Sequence, residues 1–266
     1  MKNKLPKANK ELGQHFLRDQ TVISKITSDW ADQAEVIVEV GPGPAVLTEL
    51  LAKNKKPLYL IEKDMRFKER LEEFLSSPEK LYLMDALKFD WNVFLKENEL
   101  QNKKIWLVSN LPYNVGTLLF VQFLEISQIK YMTLMFQKEV GDKTYLGHGK
   151  NQMNGLLALS LNYFNSKRLI KVPPGCFTPP PKVDSVVVSY SRNDSPEISI
   201  ENFNRLNKFT RLLFSQRRKQ MASVLKQSYK KENIQQACQM AEIAETARAE
   251  TLNFEQVIRL FNYLEA

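Results

Sequence analysis

Residues 36–51 read VIVEVGPGPAVLTELL, and the order of residue types along this stretch decides the fold. Val36–Val40 has the apolar character of a buried strand, Gly41-Pro42-Gly43-Pro44 is a turn, and Ala45–Lys53 carries the spacing of an amphipathic helix. Strand, glycine turn and helix in that order let the backbone at Gly41 and Gly43 approach a ligand at the helix N-terminus. A dinucleotide fingerprint would put a third glycine at position 46. Val46 stands there instead, which speaks against a nicotinamide enzyme and a cradled pyrophosphate.

On either side of this stretch the alternation continues. Leu58–Ile61, Leu81–Met84, Ile105–Val108 and Tyr131–Phe136 read as strands, and Met65–Leu75 and Thr117–Leu124 as helices between them. A late strand, Val186–Val188, follows the proline-rich FTPPPKVDS of residues 177–185. This is the pattern of an α/β, Rossmann-like fold, a mostly parallel sheet with helices on both faces. The polar, proline-bearing Ser191–Pro196 then marks a boundary, dividing a domain over residues 1–191 from a small all-helical one over 192–266.

Composition agrees with this division. At 266 residues and 43% hydrophobic content the chain can build one substantial core and a smaller second one. Its 38 Lys and Arg against 30 Asp and Glu give a net charge of +8, which favours a polyanionic partner. Cys176 and Cys238 stand far apart without metal-ligand spacing, so neither a disulfide framework nor a metal site is expected, and a reducing, cytoplasmic setting fits. The basic N-terminus is followed by no apolar signal region, and no run of about 18 apolar residues suggests a membrane span.

The charge is concentrated late in the chain. Arg205–Lys231 holds nine basic residues and no acidic one. If Leu206–Lys226 is one helix, then Lys208, Arg211, Arg218, Lys219 and Lys226 share a sector of roughly 100° opposite Leu206, Leu213 and Val224, with Arg217 toward the apolar side. A merely solvated helix face usually mixes both signs. The absence of acids points instead to RNA or DNA contact, with the solvated face as the competing reading.

Two acids follow the second and third strands. Glu62 lies roughly 20 residues past Gly41, where a carboxylate can accept from ribose hydroxyls. Asp85 follows Leu81–Met84 and can accept from the exocyclic amine of a purine. Together with the glycine turn they outline an adenosine pocket, and S-adenosyl-L-methionine is the adenosine ligand with no phosphate to cradle.

These residues carry a resemblance. GQHFL (13–17), EVGPG (39–43), IEKD (61–64), NLPY (110–113), QKEV (137–140), FTPPPKVDS (177–185) and FSQRRK (214–219) occur in order along the chain. In these motifs the sequence resembles the ribosomal RNA adenine N6,N6-dimethyltransferases, of the small-subunit (KsgA) type. The resemblance implies a class I methyltransferase with a seven-stranded sheet and S-adenosyl-L-methionine as methyl donor. It also implies two adjacent adenosines near the 3′ end of small-subunit (16S) rRNA as substrate, and a monomer acting on the small ribosomal subunit precursor. Carried over by position, it assigns cofactor contacts to His15, Leu17, Gly41, Glu62, Asp85 and Asn110. RNA contacts are expected at Lys208, Arg211, Arg217, Arg218 and Lys219.

For the target adenine, Asn110 offers a side-chain acceptor to the amine and the Leu111 carbonyl a second one, with Pro112 stiffening the turn and Tyr113 and Phe177 stacking on the flipped base. Two departures from the family stand out. His15 occupies a position where many members have asparagine, and Asn154-Gly155 stands where the family tends to have tyrosine-glycine. The competing readings are an Erm-type large-subunit rRNA methyltransferase, against which Leu111 and FSQRRK speak, and a nucleic-acid-binding assembly factor that keeps the fold without turnover.

Overall fold

The structure is a computed structural model and describes residues 6–9, 12–147 and 152–266. Its chain forms two units: residues up to Asp142 with Lys167–Arg192, and Lys143–Ser166 with Asn193–Ala266. The single cut at 191 read from the sequence lies next to one of these junctions, but residues 143–166 go with the C-terminal segment. The reason is local packing. Asn162 receives the Ile198 amide on Oδ1 and donates from Nδ2 to the Ile198 carbonyl, and the Asn193 amide bonds the Tyr163 carbonyl.

The strands of the main sheet are β1 (Val36–Val40), β2 (Leu58–Glu62), β3 (Leu81–Leu83), β4 (Ile105–Asn110), β5 (Ile129–Gln137), β6 (Phe164–Val172) and β7 (Ser185–Arg192). They lie in the order β3-β2-β1-β4-β5-β7-β6. β1, β2, β3, β4 and β5 pair in parallel, and β7 runs antiparallel to β5. Every residue of β1 and β2 is buried, as strands covered on both faces must be. Phe16–Leu17 forms a separate antiparallel pair with Phe177–Thr178.

The first unit's helices are α1 (Gln20–Ser28), α2 (Thr48–Leu51), α3 (Lys68–Glu72), α4 (Trp91–Glu97), α5 (Gly116–Glu125) and α6 (Lys138–Gly141). Asp19 caps α1 by accepting the Val22 amide at 3.0 Å. α2 begins at Thr48 rather than at Ala45 as expected. Ala45 has φ +65°, a left-handed conformation that belongs to the turn and not to a helix. The sheet order reverses at β1, between β2 and β4, and such a switch point opens a crevice beyond the carboxyl ends of the strands.

The second unit is built from α7 (Gly155–Tyr163), α8 (Phe203–Leu213), α9 (Met221–Leu225), α10 (Lys231–Met240) and α11 (Phe254–Leu264). α8 buries Phe203, Leu206, Phe209, Thr210 and Leu213, and Phe209 meets Phe261 of α11 edge to face at 5.6 Å. Asn154 is the N-cap of α7, its Oδ1 accepting the Leu157 amide, so this departure from the family has a local structural use. Residues 148–151 lie outside the described residues. Leu206–Lys226 is not one helix. After Leu213 the chain turns, and the Met221 amide bonds the Ala247 carbonyl, so Arg217–Lys219 sit on a connection tied to a distant segment. Among the described residues, no helix is long and apolar enough to cross a membrane.

Candidate active site

A cleft opens in the first unit where β1, β2, β3 and β4 end. The strap Gly13–Leu17, the turn Gly41–Pro44, Glu62, Asp85 and Asn110–Tyr113 line it. His15, Leu17, Gly41, Glu62, Asp85 and Asn110 are thus brought together, as are Leu111, Pro112 and Tyr113. Parallel strands place their last residues side by side, which is why positions distant in sequence converge here.

The turn after β1 explains its glycines. Gly41 has φ +68° and Gly43 φ +54°, and a Cβ added at Gly41 would meet no atom within 4 Å. The backbone therefore presents an open surface to the cleft. Glu62 holds this turn in place: its carboxylate accepts the Gly43 amide at 2.9 Å and the Asp64 amide at 2.7 Å. Burial pushes the Glu62 pKa up, while the amides of Asp64 and Gly43 favour the charged form. Each carboxylate oxygen retains a lone pair, so these bonds leave capacity for ribose hydroxyls. Asp85 differs. Lys63 donates to it at 2.8 Å and the Leu87 amide at 3.0 Å, and the lysine bond holds its carboxyl below the usual range.

Asn110 ends β4, and its Nδ2 donates to the His15 carbonyl at 3.1 Å. That bond fixes which way the amide points and leaves Oδ1 as an acceptor without a partner among the described residues. The Leu111 amide is bonded to the Met135 carbonyl of β5 at 3.2 Å, and the Pro112 carbonyl receives the Gly116 amide at 2.9 Å. The NLPY turn is therefore fastened at both ends. Tyr113 shares a hydrogen bond with Ser185 Oγ at 2.8 Å, and its ring stacks on His15 with centroids 5.3 Å apart. Burial raises the Tyr113 pKa, so it stays a neutral phenol.

One expectation does not match this geometry. Phe177 is only 1% exposed and packs in the hydrophobic core with Leu17, Ile23 and Val172, away from the cleft. Its backbone is paired with Leu17, so the strand that the motif supplies holds the strap and turns the ring inward. The His15 ring, for its part, spends Nδ1 on the Pro179 carbonyl at 2.8 Å.

Sequence reasoning missed Glu39. It is 1% exposed, lines the cleft, and accepts from Thr48 Oγ1 at 2.7 Å. Burial pushes its pKa up to about 8, so this carboxyl is protonated at neutral pH. A lone acid inside the apolar run VIVEV was the available signal. Gln14, Asp64 and Arg66 were missed as well. Gln14 Nε2 and Arg66 Nε donate to Asp64 at 2.9 and 2.8 Å, which fastens the strap beside the cleft, and Arg66 holds the Asp64 pKa down at about 2.

On the second unit, Lys208, Arg211, Arg218, Lys219 and Lys226 are exposed and make no ion pair among the described residues. Arg217 is exposed rather than turned to the apolar side. It pairs with Glu250 at 3.5 Å and donates to Gln152 at 3.1 Å.

A sheet in this order, with an acid-lined, glycine-turn cleft at its switch point, defines a Rossmann-like class I methyltransferase fold. The ribosomal RNA adenine dimethylase family model matches residues 5–266, and the chain belongs to that family. It is 35% identical over 261 residues to the ribosomal RNA small subunit methyltransferase A of Shewanella pealeana, covering 97% of this chain and 95% of the relative. With the same-named protein of Bacillus pumilus it shares 34% over 269 residues, covering 96% and 91%. Among solved structures, the 23S rRNA methyltransferase ErmE aligns with TM-score 0.69 at 24% identity, covering 94% of this chain and 100% of that one. A dimethyladenosine transferase from Plasmodium falciparum aligns with TM-score 0.69 at 20% identity, covering 92% and 96%. At these identities the two structural likenesses establish the fold.

Proposed function

We propose that this protein transfers methyl groups from S-adenosyl-L-methionine to the N6 amines of two adjacent adenosines near the 3′ end of small-subunit rRNA, acting in the cytoplasm as a monomer on the precursor subunit. The near-full-length identity to small subunit methyltransferases favours this substrate over large-subunit RNA. The observation that carries the chemistry is the fixed amide of Asn110.

The cleft suits a nucleoside donor. It offers the Glu62 carboxylate to ribose hydroxyls, Asp85 to a purine amine, and the open backbone of Gly41. The lysine beside it, Lys63, is bound to Asp85. When bound, S-adenosyl-L-methionine supplies an electrophilic methyl group on a sulfonium. The residues of the chain then have to aim the adenine amine, a weak nucleophile whose lone pair is delocalised into the ring. Asn110 Oδ1 accepts one amine hydrogen and the Leu111 carbonyl the other, which favours a tetrahedral nitrogen with its lone pair exposed. Pro112 restricts the turn that carries this carbonyl. Tyr113 stacks on the extruded base, whose unstacking costs a few kcal/mol. Holding the reacting atoms in line accounts for a large part of the rate, on the order of 7–11 kcal/mol for well-oriented groups. No side chain has to act as a strong base, because the amine proton is released after attack.

In this reading Lys208 and Arg211 on α8 and Arg218 and Lys219 on the connection after it contact the RNA, supported by their exposure and lack of acidic partners. Arg217 is set apart, since Glu250 neutralises it. The test is to offer immature small and large subunits with labelled S-adenosyl-L-methionine. Label is expected in small-subunit RNA, and label confined to large-subunit RNA would reverse the assignment.

A further inference from the structure

We infer that His15 is a positioning residue: its carbonyl orients Asn110, and its ring closes one face of Tyr113 so that the target adenine has only the opposite face to stack on. This deepens the proposed function and rests on the roles given there to Asn110 and Tyr113.

The Pro179 carbonyl can only accept, so the 2.8 Å contact requires that Nδ1 of His15 carries hydrogen. The bond fixes the plane of the imidazole. That plane lies at 29° to the Tyr113 ring, with centroids 5.3 Å apart, a stacked pair. Ser185 holds the far end of the tyrosine through its hydroxyl at 2.8 Å, so the phenol is fixed at its tip and along one face. The strap that carries His15 is itself fastened: Gln14 donates to Asp64, and the Phe16–Leu17 pairing ties the following residues to Phe177–Thr178. His15 therefore links the proline-rich segment to the NLPY turn. Its side chain braces the base-binding aromatic.

This assignment separates the ring from the backbone. Every substitution at position 15 keeps the carbonyl that Asn110 uses, so side-chain variants report on the brace alone. His15→Ala removes ring and hydrogen bond, His15→Phe keeps a ring, and His15→Asn keeps a donor for Pro179 without a ring.

The experiment measures turnover of the full chain on immature small subunits, together with the Kd of S-adenosyl-L-methionine by calorimetry, which also reports that each variant is folded. His15→Ala is expected to lower kcat about three- to tenfold, the size of a lost aromatic pair, with the cofactor Kd changed by less than about twofold. His15→Phe should recover most of the loss and His15→Asn should not. In a Tyr113→Ala background, His15→Ala should have little further effect, because the brace would have nothing left to hold. A weakened cofactor Kd with unchanged kcat would make His15 a cofactor contact and overturn the inference. Faster turnover or tighter RNA binding by His15→Ala would overturn it too, since the ring would then be a placeholder in the base site, as would wild-type behaviour of all three variants. Failure of the functional reading looks different: wild-type protein would label no small-subunit RNA.

Discussion

The cleft of the first unit and the exposed basic residues of the second hold their functional groups in opposite ways. In the cleft nearly every polar group has a partner from another segment: Glu62 takes the Gly43 amide, Asp85 takes Lys63, Asn110 gives to His15, and Tyr113 meets Ser185. In the second unit Lys208, Arg211, Arg218 and Lys219 are exposed and carry no ion pair among the described residues. A methyl transfer to a weak nucleophile depends on fixed atoms, whereas a phosphate backbone can be met by mobile cations that exchange with counterions. Arg217 stands between the two cases, since it is exposed like its neighbours yet tied to Glu250 and Gln152.

The two regions should separate most widely at Asn110. Asn110→Ala is expected to lower kcat by at least about 100-fold, the scale for removing a fixed polar group from a reacting centre, while subunit affinity stays within about twofold. A variant with full methylation activity would remove Asn110 from the mechanism. Reversing charge at Lys208, Arg211, Arg218 and Lys219 should do the converse. Binding should weaken by about tenfold or more at moderate salt, and the slope of log K against log salt should flatten by about 0.7–0.9 for each phosphate no longer neutralised. Affinity unchanged across a salt series would return these residues to the solvated reading.

Titration adds a second contrast, between a carboxyl in the cleft and one beside it. Glu39 has its folded pKa raised from 4.5 to about 8, so its contribution to stability is fully present below pH 4.5 and is lost as pH rises through about 8. Asp64 has its folded pKa lowered from 3.8 to about 2, so its contribution is present above pH 3.8 and is lost as pH falls through about 2. Glu39→Gln should flatten the decline in Tm between about pH 4.5 and 8, and an unchanged slope in thermal melts over that range would contradict the protonated carboxyl. The smallest effect is expected at Arg217. Arg217→Ala breaks a mostly exposed pair worth less than about 1 kcal/mol, and it should shift Tm slightly while leaving the salt slope of RNA binding alone.

What could be read from the sequence depended on whether the cause was local. Apolar runs such as VIVEV and LYLIE announce central strands because both faces are buried. The edge strand β6, FNSKRLIKV, was not read, since exposure at the sheet edge lets Lys167, Arg168 and Lys171 replace the apolar pattern. The break between α8 and α9 was hidden as well. No glycine or proline marks SQRRKQ, and the bond that ties the start of α9, from Met221 to Ala247, is long-range. Phe177 misled for a similar reason: the motif locates a strand, but only the packed structure shows the ring pointing into the core. The ends of β1 to β3 were well defined by their glycine and acidic residues and that of β4 by NLPY, whereas the His15–Tyr113 stack, nearly a hundred positions apart, had no sequence signal.

In the mechanism proposed, everything turns on the fixed Asn110-Leu111-Pro112-Tyr113 segment, which aims adenine amines of small-subunit RNA at a methyl donor. Mass spectrometry of small-subunit RNA after reaction with S-adenosyl-L-methionine, resolving mono- from dimethylated adenosine, puts this to the test. Two adjacent N6,N6-dimethyladenosines near the 3′ end, lost in Asn110→Ala, are the predicted result. Unmodified small-subunit RNA, or modification that survives in Asn110→Ala, would contradict it.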